Sequence, residues 1–165
     1  MTVNEQERAE LLETLAVHRY FLTSAAQGLT DEQARATPTV SALSVGGLIK
    51  HVTAIESQWA SFIVDGPGAF GRAGEEGWSP DAFTMLTSLD EALAEYAATA
   101  ERTAEIVRGL DSLDASHPLP EAPWFEPGAS RSARRVLTHL VGETAQHAGH
   151  ADIIRETIDG KKSMG

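Results

Sequence analysis

Three residues able to bind a metal or carry a proton crowd one short stretch, HLVGETAQHAGHADIIRE (residues 139–156): Glu143, His147 and His150. Glu143 precedes His147 by four positions and His147 precedes His150 by three, the separations at which side chains meet along a helix. At about 100° per residue, Glu143 and His150 fall within roughly 20° of each other, and His147 lies about 40–60° from both. The apolar stripe of the same stretch runs through Val136, Leu140, His147 and Ile154, so His147 points inward with Glu143 and His150 beside it. His139 is about 80° from His147 and falls at the edge of that face. A second segment adds His51, three residues after Leu48 and four before Ile55, again flanking an inward face. Neutral imidazoles and a carboxylate converging from two helices are the donors with which bundles hold Zn, Ni, Fe or Mn. Three protein ligands leave a position for water or substrate. A lone inward histidine is more often a hydrogen-bonded core residue. Several together are harder to dismiss, since each buried polar group left unpaired costs about 1–3 kcal/mol.

Four long segments with helical periodicity must carry these residues. The first, residues 4–27, aligns Leu11, Leu15, His18, Leu22 and Ala25 on one face; His18 reads there as structural. The second, 44–64, aligns Leu48, Val52, Ile55, Trp59 and Phe62, with Ser44 as N-cap and DGPG (65–68) as its stop. The third, 88–110, opens on Ser88 followed three positions later by Glu91, a capping-box spacing. The fourth, 130–158, ends before Gly160, which suits a left-handed cap. A short turn at 30–35 is capped by Thr30. No segment alternates with strand period, so the sequence predicts an all-α fold, a four-helix bundle forming one domain over residues 1–165. The connections 65–87 and 111–130 exceed ordinary bundle loops and are expected to cross an end of the bundle. Trp59, Phe62 and Tyr96 read as core, Glu56 as a surface residue or a partner on the helix surface, and His117 gives no signal. Arg131, Arg134 and Arg135 read most simply as a solvated first turn, from which a carboxylate-bearing ligand could use one side chain.

Composition narrows the function classes. The chain has 165 residues and a formal charge of −11, with 24 acidic against 13 basic side chains. That sign opposes nucleic acid and anionic membrane alike. No apolar run reaches the ~18 residues of a membrane span, and the N-terminus lacks a signal layout, so the cytoplasm is the expected compartment. With no cysteine there is no disulfide, thiolate ligand or cysteine nucleophile; any metal must be held by His, Asp or Glu.

The stretches TPTVSALSVGGLIKHVTAIESQWA (37–60) and RRVLTHLVGETAQHAGHADIIRETIDG (134–160) resemble the DinB/YfiT-like superfamily of metal-binding four-helix bundles, in particular the actinobacterial branch that includes the mini-circle protein group. The resemblance covers nearly the whole chain and is carried by Ser44-Val-Gly-Gly-Leu-x-Lys-His51 and Glu143-Thr-Ala-x-His147-Ala-Gly-His150-Ala-Asp. The superfamily's usual site takes one His from the second helix and an H-x3-H pair from the fourth. Carried over, this implies His51 as one ligand and His147 as the second His of the pair. Glu143 stands where the first His of the pair falls, a departure, and His150 stands where many relatives have Gln. The third ligand is thus open between Glu143 and His150, singly or jointly.

Characterised relatives are thiol-dependent S-transferases or isomerases that use mycothiol or bacillithiol with a divalent metal; for this chain zinc or nickel is expected first, with iron or manganese also open. The resemblance therefore implies a low-molecular-weight thiol and a small electrophile as partners, and a homodimer. Two other readings compete. One is a small hydrolase that activates metal-bound water with Glu143 as base; the other is a non-catalytic metal-binding or stress-response bundle with a vestigial site.

Overall fold

The computed structural model describes residues 3–71 and 80–163; residues 72–79 of the connection 65–87 lie outside the described residues. Its long helices are α1 (Val3–Ser24), α3 (Val45–Asp65), α4 (Leu89–Gly109) and α5 (Ala133–Asp159), with a short α2 (Asp31–Arg35) between the first two. The expected caps set their ends. The Ser44 hydroxyl accepts from the Gly47 N–H at 3.1 Å, Thr30 and Ser88 each complete a capping box, and Gly160 closes α5 with φ of 79°. At φ > 0 only glycine avoids a steric penalty. No helix of the described residues is long and apolar enough to cross a membrane.

One element departs from the expectation. Ser116–Pro118 (β1) and Ser130–Ser132 (β2) pair antiparallel, with His117 opposite Arg131, and α5 starts at Ala133 under a Ser132 cap. Three-residue strands are too short to show a period of two, so the sequence pattern gave no sign of them.

The buried apolar residues form two clusters. Leu22, Leu48, Val52, Leu89, Tyr96, Ala151 and Ile154 make one; Leu15, Trp59, Phe62, Val107, Val136 and Leu140 make the other. The N-terminal halves of α3 and α4 share the first cluster with the C-terminal halves of α1 and α5. Hence α3 and α4 run in the same direction, opposite to α1 and α5. The described residues of the return from α3 to α4 lie at both ends: Ala69 and Phe70 pack with the second cluster, Phe83 and Met85 with the first. The 111–130 connection instead begins and ends at the second cluster, where Leu113, Leu119 and Phe125 pack.

That return path is locked onto α3 by a glycine pair. A Cβ on Gly47 would lie 1.9 Å from the carbonyl oxygen of Phe83, and one on Gly46 would lie 2.4 Å from Met85 Sδ. Phe83 ends a single 3-10 turn, Pro80–Phe83, so the Gly-Gly step sets how closely this residue approaches His51. Gly47→Ala is expected to lower stability by about 1–3 kcal/mol, the usual cost of forcing atoms into a filled site. Gly142→Ala, whose methyl meets open space on α5, is expected to add about 0.5–1 kcal/mol. Urea midpoints of the two variants check this; an unchanged midpoint for Gly47→Ala would contradict the contact.

Candidate metal centre

Between the two apolar clusters runs a layer of polar side chains, one or more from each long helix. His51 comes from α3, and Glu143 and His147 from α5. One ligand atom from each of these three lies within 4.8 Å of the others. His147 is buried at 8 % exposure, while His51, Glu143 and His150 are half-buried. The Nε2 of His147 is 3.4 Å from Glu143 Oε2. Two donors on one metal at about 2.1 Å stand roughly 3–3.4 Å apart, so this pair already has the needed spacing. The ring of His51 meets that of His147 edge-on, centroids 5.0 Å apart at 83°.

His150 occupies a different place. Its Nδ1 is 3.3 Å from Nδ1 of His147, on the side of the ring away from Glu143. Two imidazole nitrogens at that distance share one hydrogen, so His150 holds the direction of the His147 ring. On the other flank, the Phe83 ring stacks on His51 at 4.0 Å and 19°. This contact spans a long sequence separation and left no signal in the pattern of α3.

The electrostatics favour open lone pairs. Burial, then the nearby His147, pushes the pKa of His51 down to about 4 against the pull of Glu143, leaving a neutral imidazole at neutral pH. Glu143 is held below the usual carboxylate range, chiefly by its hydrogen bond with His147. A divalent cation fits this donor set: two imidazoles and a carboxylate, on a carboxylate–histidine spacing suited to metal.

Glu56, expected at the surface, is fully buried. Arg19 Nε donates to Glu56 Oε2 at 3.0 Å, and its Nη2 to the other carboxylate oxygen. The two-bond fork makes burial of the carboxylate tolerable. Glu56 follows Val52 by four and precedes Trp59 by three, so its inward position was legible in the spacing. Arg134 is likewise not merely solvated: it donates to Glu7 Oε2 at 3.0 Å and also to Asp114. His117 Nε2 sits 3.2 Å from the Ile63 carbonyl and ties β1 to the end of α3. His18 is half-buried on α1, apart from the three-residue cluster.

Comparisons with known proteins bear on the family and the fold. A family model described as mycothiol-S-transferase matches residues 10–160. Among solved structures, the chain is similar to a conserved protein from Enterococcus faecalis at 16% identity and a TM-score of 0.69, covering 98% of this chain and 99% of that one. At that identity the likeness concerns the fold. No curated protein matches.

The sign of the His51 shift gives a test. Its folded pKa of about 4 lies below the ordinary 6.5, so between those values the unfolded chain binds the additional proton. Metal-free protein must then lose stability as pH falls from about 6.5 toward 4. Urea midpoints across that window are expected to drop for the wild type and to drop less for His51→Gln. Parallel curves would contradict a neutral, buried His51.

Proposed function

We propose a function from the premise that this chain belongs to the mycothiol-S-transferase family: it conjugates a low-molecular-weight thiol of the mycothiol type to a small electrophile. The observation that supports this most is the convergence of His51, Glu143 and His147, which we take as the three protein ligands of a divalent metal. A divalent cation held there, zinc or nickel foremost, would lower the pKa of a thiol that joins it and so supply a thiolate at neutral pH. The chain has no cysteine of its own, so the thiol arrives from solution.

Each residue has a separable task. His51 offers a neutral nitrogen because burial disfavours its charged form, and Phe83 holds that ring in one plane. His147 directs Nε2 toward Glu143 while His150 holds Nδ1. His150 is therefore a positioning residue in this reading, and Glu143 takes the third ligand place. With its carboxylate among the donors, Glu143 is poorly placed to act as a general base, which weighs against the hydrolase reading.

Elemental analysis and conjugation of monochlorobimane check the assignment. Reconstituted wild type is expected to hold one metal per chain and to exceed the spontaneous rate only with metal and thiol present. His147→Ala is expected to lose the metal and at least about 100-fold in rate. His150→Ala is expected to keep the same ligands with metal affinity about 10–100-fold weaker. Full metal retention in His147→Ala, or a rate indifferent to metal, would overturn the proposal.

A further inference from the structure

Beside the metal layer lies a cavity of about 160 Å³, walled by Trp59, Trp124, Phe125, Arg131, Arg135 and His139. Its volume is about five waters' share of liquid, room for one substituted ring. The aromatic wall is ordered by edge contacts: Trp59 meets Phe125 at 6.3 Å and His139 at 5.2 Å. The junction of β2 with α5 supplies the cationic wall, Arg131 from the strand and Arg135 from the first helical turn.

These two guanidiniums differ from most others in the chain. Arg19, Arg35, Arg108, Arg134 and Arg155 each face a carboxylate. Among the described residues Arg131 and Arg135 have no acidic partner; Arg131 donates only to the neighbouring Ser130 carbonyl. In a chain of charge −11, two uncompensated cations on one cavity wall mark a place where an anion is favoured. The cavity also touches the metal layer. His139 Nε2 is 3.8 Å from Glu143 Oε1, and the other oxygen of that carboxylate faces His147. The Glu143 carboxylate, itself one of the three clustered groups, thus stands between the cavity and the two histidines His51 and His147.

We propose that this cavity seats the electrophile, and that it selects a planar, conjugated molecule bearing a carboxylate. The flat part lies against Trp59, Trp124 and Phe125, the carboxylate pairs with Arg131 and Arg135, and the reactive carbon turns toward the His139–Glu143 side. The proposal rests on the transferase reading above. With 4-chloro-3-nitrobenzoate as probe, the thiolate sulfur bonds to the ring carbon that carries chlorine. The carbon–chlorine electron pair leaves as chloride, and the thiol's proton passes to solvent.

The test compares this probe with its uncharged amide, 4-chloro-3-nitrobenzamide, on metal-loaded protein with mycothiol, each corrected for its spontaneous rate. Wild type is expected to favour the benzoate in kcat/KM by about tenfold. In Arg135→Met and Arg131→Met that ratio is expected to fall toward unity, and Arg135→Lys to retain part of it. Calorimetric titration of the benzoate without thiol gives a readout independent of turnover. Binding is expected, weakened about tenfold by Arg135→Met and weakened by salt. Equal kcat/KM for benzoate and amide, or benzoate binding indifferent to both arginine replacements, overturns the cavity assignment and leaves the transferase reading standing. Arginine-dependent benzoate binding with no conjugation of either probe overturns the transferase reading and retains the cavity as a site for planar anions.

Discussion

Four helices can bury their apolar stripes almost anywhere along their length, but this bundle must also close over a belt of polar groups. Arg19, Glu56, Glu143 and His147 lie between two apolar clusters, with Glu56 and His147 themselves buried. Breaking a buried ion pair by removing one partner typically costs about 3–5 kcal/mol. The register of α1 against α3 is therefore fixed by the Arg19–Glu56 fork, and everything above and below it must fit that register. Burial, then the nearby Glu56, pushes the Tyr96 hydroxyl pKa upward, so α4 too contributes a polar group to this layer. His51, Glu143 and His147 meet at the side of this belt. Their convergence follows from the level at which α3 and α5 are held.

The return chain between α3 and α4 gives the belt its outer wall. Gly46 and Gly47 let Met85 and the Phe83 backbone come close enough for the Phe83 ring to cover His51. That cover desolvates the imidazole and keeps it neutral. On the opposite flank the small β1–β2 ribbon sets the start of α5 and brings Arg131 beside Arg135. The layer thus has an apolar, aromatic side at His51 and a cationic, aromatic side at His139.

Much of this was written in local pattern. The helix ends follow from Ser44, Thr30, Ser88 and Gly160, because a cap is a short-range hydrogen bond or a backbone conformation. The family model over residues 10–160 agrees with the resemblance drawn from the two motifs. The membership of the three-residue cluster was less legible. Glu143 and His150 share nearly one angular position, yet seven residues separate them by about 10.5 Å along the axis. Helical angle ignores that rise; only the level of His51 on a different helix puts Glu143 inside the three-residue cluster and His150 behind His147. Glu56 reads as a surface residue by its charge although its spacing is inward, and its partner Arg19 lies on another helix. Phe83 and the β1–β2 pair arise from non-local contacts in connections without periodicity.

An anomalous-difference map of metal-loaded crystals, recorded at the absorption edge of the bound metal, tests the central claim most directly. The account predicts one peak within about 2.0–2.2 Å of His51, His147 Nε2 and a Glu143 oxygen, with His150 in contact with His147 and not with the metal. A peak coordinated by His150 in place of Glu143, or no peak in the polar layer, would contradict it.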